Sequence, residues 1–365
     1  MGIRVPNHIA TLKPYPPGKP LEELEREYGI TDSIKLASNE NPLGTSPLAL
    51  EAIRSHLKNL RRYPDGSAYY LKQRLSQRLG VEESSIVLGN GSNEIIDLVI
   101  RTFVQPKEEV LMSEPTFLVY PLMTQAVGAR AIKVPQKHLA HDLEAMARAV
   151  TPNTRVVFLD NPNNPSGTVI SRKEFETFRN SLPRDVIVVL DEAYMEFADP
   201  KQTITGLEYL NGTPPVVSLR TFSKAHGLAG LRIGYGVMPP EVADYLNRAR
   251  QPFNVNSLAQ VAALAALDDE EFLQETQKVV REGLAFLYAE LEKLQLRTHP
   301  TQANFFLIDV RHDGQKVYEA MLRRGVIVRA MNSYGLNSYI RISVGRPEEN
   351  RRFVDTLKEV LAELE

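Results

Sequence analysis

The sequence predicts an α/β protein with a three-layer fold around a mostly parallel, seven-stranded sheet, and a second, smaller α+β domain. Seven short β-rich runs alternate with helical segments between residues 85 and 238. Several of these runs are continuously apolar, as in DVIVVLD at 185–191, which is typical of strands buried on both faces of a parallel sheet. The chain of 365 residues is also longer than most chains that fold around a single hydrophobic core, which favours two domains.

The predicted elements follow in order along the chain. Residues 1–45 include the proline-rich stretch KPYPPGKP and are expected to form an arm that joins the smaller domain, with one short helix that ends at Gly29. Residues 46–256 are expected to form the large domain. Residues 257–365 are expected to begin with one long helix, over 257–295, and to continue as the small domain. The seven predicted strands are SIVLG (85–89), EVLMS (109–113), ARAIKV (129–134), RVVFLD (155–160), DVIVVLD (185–191), VVSL (216–219) and RIGYGVM (232–238).

The composition argues against several classes of protein. Cysteine is absent, so the chain forms no disulfide, thiolate zinc site or cysteine nucleophile, and the 7 histidines form no convincing metal-binding pattern. The 43 basic and 45 acidic residues give a net charge of -2, and neither nucleic-acid binding nor membrane binding is expected. The sequence shows neither the roughly 20 apolar residues of a membrane span nor a secretory signal. A cytoplasmic enzyme is therefore expected.

Polar groups cluster where the predicted strands end, which is where α/β proteins bind their ligands. After SIVLG, the sequence GNGSNE leads into a helix near Ser92. This serine suits a helix cap, and the free N–H groups of the helix favour an anion such as phosphate. After RVVFLD comes NPNNPSG, in which Asn163 and Asn164 together exceed what a turn requires.

Two further strand ends carry charged residues. Asp191 ends a buried strand, so its carboxylate requires an arginine or a cationic ligand atom opposite it. Lys224 lies among small residues, as a Schiff-base lysine or a phosphate-binding lysine does, and Arg232 suits a phosphate. These groups together match what a phosphorylated pyridine aldehyde requires of its binding site. They are a phosphate site, a buried aspartate, Tyr194, asparagines and a reactive lysine.

Seven motifs carry a resemblance over nearly the whole chain: KLASNENPLG, RYPDG, GNGSNEII, NPNNPSG, DEAY, RTFSKAHGLAGLRIGY and YIRISVG. In this order the sequence resembles the fold-type I aminotransferases that use pyridoxal phosphate, and within them the histidinol-phosphate aminotransferase family. The resemblance implies that histidinol phosphate and 2-oxoglutarate yield imidazole acetol phosphate and L-glutamate in histidine biosynthesis, and that the enzyme is a homodimer with shared active sites. Two alternatives stay open: an aromatic amino-acid aminotransferase, and a pyridoxal-phosphate decarboxylase of a phosphorylated amino acid.

The resemblance also implies roles for individual cofactor-binding residues. Lys224 would form the Schiff base with the cofactor and move the substrate proton, and Asp191 would pair with the pyridinium nitrogen. Asn164 and Tyr194 would bind the phenolic oxygen, and Phe117 would stack on the ring. The residues implied at the cofactor phosphate are Ser92, Asn93, Thr221, Ser223, Arg232 and, from the neighbouring subunit, Tyr63.

The substrate is expected to bind between the domains. Arg329 and Arg341 each follow β-rich residues and are predicted to project towards the cleft. Two guanidinium groups match the phosphate dianion of histidinol phosphate, and the same pair can bind the side-chain carboxylate of glutamate. Tyr15 resembles the tyrosine that closes over bound substrate, and the resemblance also implies that Asn39 contacts the substrate.

Overall fold

The computed structural model describes residues 3–16 and 18–365. The strands are β1 (Ile34–Lys35), β2 (Ile86–Gly89), β3 (Glu109–Glu114), β4 (Arg130–Pro135), β5 (Thr154–Asp160), β6 (Ile187–Asp191), β7 (Val216–Thr221), β8 (Gly234–Val237), β9 (Arg297–Thr298), β10 (Phe305–Asp309), β11 (Val326–Ile327), β12 (Arg329–Ala330) and β13 (Tyr339–Ser343). The α-helices are α1 (Asn7–Ala10), α2 (Leu21–Tyr28), α3 (Pro47–His56), α4 (Tyr69–Leu79), α5 (Ser92–Phe103), α6 (Val119–Ala126), α7 (Leu143–Ala149), α8 (Arg172–Asn180), α9 (Pro240–Ala249), α10 (Ser257–Asp268), α11 (Glu270–Lys293), α12 (Gly314–Leu322) and α13 (Pro347–Leu364).

All seven predicted strands form, and they make one sheet in the order β2-β8-β7-β6-β5-β3-β4. Only β8 runs against its neighbours in this sheet, β7 and β2, while the other pairs are parallel. Every residue of the central strand β6 is buried, which explains its unbroken apolar sequence. The prediction of a mostly parallel seven-stranded sheet is therefore confirmed.

Helices cover both faces of this sheet. Because neighbouring residues of a strand point to opposite faces, Phe158 packs with α5, α6 and α9, whereas Leu159 packs with α7 and α8. A further cluster joins β2 and β8 to α3, α4 and α10. The result is the three-layer α/β arrangement that the alternation of strands and helices predicts.

A smaller antiparallel sheet, in the order β12-β13-β10-β9, forms the C-terminal part. Helices α11, α12 and α13 pack against it around Phe306 and Phe353. The N-terminal segment joins this part, because β1 pairs in parallel with β11 and aligns Ile34 with Val326. Helix α2 ends at Gly29 with φ 70, as predicted. Within residues 3–16 and 18–365, no helix is long and apolar enough to span a membrane.

The prediction of one long helix over residues 257–295 is wrong. Helix α10 ends at Asp268 and α11 begins at Glu270, with Asp269 between them at φ -90 and ψ 67. The Asp269 carboxylate accepts a hydrogen bond from the backbone of Phe272 at 3.2 Å and so caps α11. The break allows the two helices to pack on different sheets, because α10 packs near the large sheet and α11 packs on the smaller one.

Candidate active site

A cavity of about 180 Å³ lies at the carboxyl ends of β5, β6 and β7, against the smaller sheet and the N-terminal segment. Its position follows from the topology, since parallel strands present their carboxyl ends at one edge. All but one of the residues predicted for the site line this cavity. They are Tyr15, Asn39, Ser92, Asn93, Phe117, Asn164, Asp191, Tyr194, Thr221, Ser223, Lys224, Arg232, Arg329 and Arg341.

Lys224 follows β7 and projects into the cavity. Its Nζ donates a hydrogen bond to the carbonyl of Ser38 at 2.9 Å and lies 5.8 Å from the centre of the Tyr194 ring. Burial, and then the positive charge of Arg341, lower the pKa of Lys224 to about 8. A lysine with this pKa can lose its proton near neutral pH, as a nucleophile or a base must.

Asp191 ends β6, and its side chain lies at the floor of the cavity. Oδ2 accepts a hydrogen bond from the hydroxyl of Tyr120 at 2.8 Å. Oδ1 is buried without a hydrogen-bond partner among the described residues, and burial raises the pKa of Asp191 to about 7. Arg220 does not neutralise Asp191, because it pairs with Glu192 at 2.7 Å. Of the two partners predicted for Asp191, a cationic ligand atom is therefore the one that suits Oδ1.

The start of α5 forms one end of the cavity. The prediction that Ser92 caps this helix is wrong: Gly91 is the cap residue, and Ser92 is the first helical residue. Gly91 takes this place because the turn needs φ 78, a conformation that a serine rarely adopts. Ser92 and Asn93 of the first turn still line the cavity, and the free backbone N–H groups at a helix start suit an anion.

Arg232 lies beside this helix start, and glycines make the approach possible. A Cβ atom on Gly91 would lie 2.7 Å from Nη2 of Arg232, and one on Gly234 would lie 2.5 Å from the backbone nitrogen of Ser92. Nη1 of Arg232 also lies 3.5 Å from Oγ of Ser223. A guanidinium, hydroxyls and helix N–H groups thus converge on a space that can hold a phosphate.

Amide and hydroxyl groups form another wall of the cavity. The side-chain amide of Asn39 donates to the Tyr194 hydroxyl at 2.9 Å, so this hydroxyl retains its own proton to donate. Burial raises the pKa of Tyr194 above its usual range, which keeps the hydroxyl protonated. Asn164 accepts from Nη1 of Arg341 at 2.5 Å, and this contact orients the Asn164 amide group.

Arg329 and Arg341 lie directly opposite each other in the antiparallel pair of β12 and β13. Residues opposite each other in such a pair project from the same face of the sheet, and both arginines line the cavity. Their partners among the described residues are neutral. Arg329 donates to the Pro16 carbonyl at 2.9 Å, and Arg341 donates to the Ala37 carbonyl at 3.1 Å as well as to Asn164. The pair therefore presents two positive charges to the cavity.

The N-terminal arm and Phe117 close the remaining side. The Tyr15 ring meets the Phe117 ring edge-on, with 6.4 Å between their centres, and Tyr15 stays partly exposed at the cavity rim. Phe117 in turn meets Tyr120 edge-on at 5.6 Å. The rings of Phe117 and Tyr15 thus border the cavity that also holds Lys224 and the two arginines.

The family model of aminotransferase class I and II matches residues 31–357. The chain belongs to this family. It is 50% identical to a histidinol-phosphate aminotransferase of Desulfotalea psychrophila, covering 99% of this chain and 96% of the relative. It is 51% identical to histidinol-phosphate aminotransferase 1 of Nitrosococcus oceani, covering 97% and 96%.

A solved structure shows the same fold. The histidinol-phosphate aminotransferase of Sinorhizobium meliloti, in complex with pyridoxal-5'-phosphate, aligns with a TM-score of 0.92 at 28% identity, covering 100% of this chain and 99% of that one. This alignment and the family match confirm the prediction of an aminotransferase of fold type I.

Tyr63 is the one predicted site residue that this aminotransferase does not bring to its own cavity. Its ring stacks on Phe253 with 5.0 Å between the centres, and it is 83% exposed. It borders a separate surface groove together with Tyr69 and Tyr70. A role for Tyr63 in a neighbouring subunit stays a prediction.

Sequence reasoning missed seven residues that line the cavity of this aminotransferase, and three of them have polar side chains: Ser38, Tyr120 and Asp160. Asp160 ends a buried strand just as Asp191 does, and the same rule about strand ends identifies it. Tyr120 lies in the first turn of α6, whereas Phe117 precedes that helix, so no helical spacing links the two residues and their edge-on ring contact appears only in the folded chain. Ser38 contributes only its backbone carbonyl to Lys224, so no side-chain pattern could have revealed it.

Proposed function

We propose that the chain is a pyridoxal-phosphate enzyme that transfers the amino group of histidinol phosphate to 2-oxoglutarate. The products are imidazole acetol phosphate and L-glutamate, and the reaction belongs to histidine biosynthesis. Two relatives named histidinol-phosphate aminotransferase, at 50% and 51% identity, support this proposal. The observation that carries it is the meeting, in one cavity, of a lysine with a lowered pKa and an aspartate with an unpaired buried oxygen.

The residues present fit pyridoxal phosphate. The unpaired Oδ1 of Asp191 suits a protonated ring nitrogen, and the start of α5 with Arg232 suits the phosphate. The free proton of the Tyr194 hydroxyl suits the phenolic oxygen, and Phe117 offers an aromatic ring beside the cavity. These groups differ in charge along the cavity, so they orient the cofactor as well as bind it.

Pyridoxal phosphate, when bound, supplies an aldehyde that takes up amino groups and a ring that accepts electrons. The protein contributes the proton movements. Lys224 Nζ, with its pKa near 8, would take a proton from the substrate carbon that bears the amino group and deliver it to the aldehyde carbon of the cofactor. The anion of Asp191 would stabilise a proton on the ring nitrogen and so keep the ring able to accept electrons. Lys224 donates to the Ser38 carbonyl, and this contact orients Nζ within the cavity.

The arginine pair supports a phosphorylated substrate. Histidinol phosphate has no carboxylate, but its phosphate carries nearly two negative charges at neutral pH. Arg329 and Arg341 lie opposite each other and bind only neutral groups of the described chain, so both charges are available to this dianion. The side-chain carboxylate of glutamate can use the same pair in the second half of the reaction.

Replacing Lys224 tests the proposed function. Lys224→Ala should abolish transamination of histidinol phosphate, because no other group takes over the proton at the substrate carbon, yet the variant should still bind pyridoxal phosphate through the phosphate site. Lys133→Ala is the matched control, since Lys133 pairs with Glu114 on the surface. Single-turnover absorbance spectra with histidinol phosphate and with phenylalanine would measure both properties. Near-normal turnover of Lys224→Ala would disprove the mechanism, and a wild-type preference for phenylalanine would favour an aromatic aminotransferase.

We further propose that two copies of the chain share their active sites. Tyr63 is highly exposed and lies outside the cavity of its own subunit. Large exposed apolar side chains accompany it in the same stretch, including Leu57, Leu60 and Tyr70, and such a patch is typical of a protein interface. A second copy that covers this patch would bring Tyr63 towards the phosphate end of the neighbouring cavity. A cytoplasmic location also stays a prediction from the sequence.

A further inference from the structure

Tyr120 belongs to α6, and its side chain is fully buried against the large sheet. Its ring stacks on Phe158, with 4.5 Å between the ring centres and 14° between the planes, and it meets Phe117 edge-on. The backbone carbonyl of Tyr120 accepts a hydrogen bond from the Thr124 hydroxyl at 2.7 Å. Both ring and backbone are therefore held, and the hydroxyl has a fixed place beside Asp191, 2.8 Å from Oδ2.

This contact determines how Asp191 faces the cavity. A carboxylate can rotate about its last side-chain bond, because that torsion has broad minima. The Tyr120 hydroxyl holds Oδ2 in place, which leaves Oδ1 as the oxygen without a partner among the described residues. One oxygen is thus used within the protein and one is left for a ligand.

The other groups around Asp191 act in different directions on its charge. Burial and the carboxylates of Asp160 and Glu192 raise the pKa of Asp191, whereas the Tyr120 hydroxyl and the backbone N–H of Ala193 lower it. Tyr120 is the side-chain donor to Asp191 within residues 3–16 and 18–365. The pKa of the Tyr120 phenol is itself raised well above its usual value by burial, so the hydroxyl remains a donor.

We propose that Tyr120 is a positioning residue that orients Asp191 and stabilises its anion, so that Oδ1 can bind the protonated ring nitrogen of the cofactor. This inference rests on the proposed function. It gives Tyr120 a role that acts through Asp191. Tyr120 itself neither takes up nor releases the proton that is transferred in the reaction.

The test measures binding of 4-deoxypyridoxine 5-phosphate to the cofactor-free protein by calorimetry across pH. This probe has the ring and the phosphate but no aldehyde, so Lys224 cannot bond to it covalently. Its affinity should rise with pH as Asp191 loses its proton, because a protonated ring nitrogen needs an anionic partner. Tyr120→Phe removes one hydrogen bond to a charged group, so this rise should move upward by about one to two pH units. At a pH below the rise, the variant should bind the probe at least about 10-fold more weakly.

Two further variants separate positioning from a general loss of structure. Tyr288→Phe is the matched control, since the Tyr288 hydroxyl contacts the backbone of His299 at 3.4 Å in the small sheet region, and its pH profile should equal that of the wild type. Phe158→Leu keeps the Tyr120 hydroxyl but removes the ring on which it stacks, so it should shift the profile in the same direction by a smaller amount.

The outcomes distinguish this inference from the proposed function. A wild-type protein that does not bind the probe would contradict the proposed cofactor. A wild-type protein that binds it, with a profile that neither Tyr120→Phe nor Phe158→Leu alters, would overturn the positioning role. An equal shift in Tyr288→Phe would also overturn it, because any lost hydroxyl would then have the same effect.

Discussion

Arg329 offers a direct test of how this aminotransferase recognises its substrate. Arg329 and Arg341 face the cavity from opposite positions of one strand pair, but they are not equivalent. Arg341 is buried and donates to Asn164 and Ala37, whereas Arg329 is more exposed and donates to the Pro16 carbonyl. Arg329→Ala therefore removes one positive charge and leaves the buried contacts of Arg341 in place.

The size of the effect follows from the lost contact. A hydrogen bond to a charged group contributes roughly 1.5–3 kcal/mol, so kcat/KM for histidinol phosphate should fall about 10- to 150-fold in Arg329→Ala. Phenylalanine presents only one carboxylate, which Arg341 can bind alone, so its kcat/KM should change much less. Arg329→Lys should recover part of the loss, because lysine restores the charge but not the two-pronged geometry.

Steady-state kinetics with both substrates provide the assay. Arg324→Ala is the matched control, because Arg324 is also in the small part of the chain but pairs with Glu359 and Glu363 outside the cavity. It should leave both kcat/KM values unchanged. Equal losses for histidinol phosphate and phenylalanine in Arg329→Ala would refute the assignment of Arg329 to the phosphate.

Three other predictions concern the cofactor site. Asp191→Asn should retain the fold and lower kcat roughly 100-fold or more, since a neutral amide cannot stabilise charge in a buried site; an unchanged rate would remove Asp191 from the mechanism. The pKa of Asp191 is raised to about 7 from its ordinary value of 3.8, so the folded cofactor-free protein holds an extra proton between these two values. Its free energy of unfolding should therefore fall as the pH rises from 3.8 to about 7. Denaturant unfolding should show that Asp191→Asn lacks this decline. Mixing Lys224→Ala with Tyr63→Phe subunits should produce heterodimers with one intact site, and mixtures no more active than the parents would contradict shared sites.

The sequence alone was sufficient to predict the large sheet, because strand formation there depends on local patterns. A run such as IVVLD is apolar at every position, and it is buried at every position in β6. The ends of these strands also identified Asp191 and the asparagine turn as candidate site residues, since the topology of a parallel sheet brings strand ends together. The motif order then identified the family.

Local sequence patterns did not predict the boundary between two consecutive helices. Residues on both sides of Asp269 favour a helix, and periodicity cannot show that the chain turns between α10 and α11. The turn occurs there because the two helices pack on different sheets and the Asp269 carboxylate caps the second. At the start of α5, the sequence favours Ser92 as the cap residue, but Gly91 is the cap because the turn requires a positive φ.

Tertiary structure alone decided the electrostatics of the site. The pKa of Lys224 falls to about 8 because folding buries its amine near Arg341, which is more than one hundred residues away in the sequence. The opposition of Arg329 and Arg341 is a matter of strand register, and the contact of Tyr120 with Asp191 requires a helix and a strand to pack together. Burial and register are properties of the folded chain. The sequence could therefore identify which residues form the site, but their protonation and the directions of their side chains are determined only on folding.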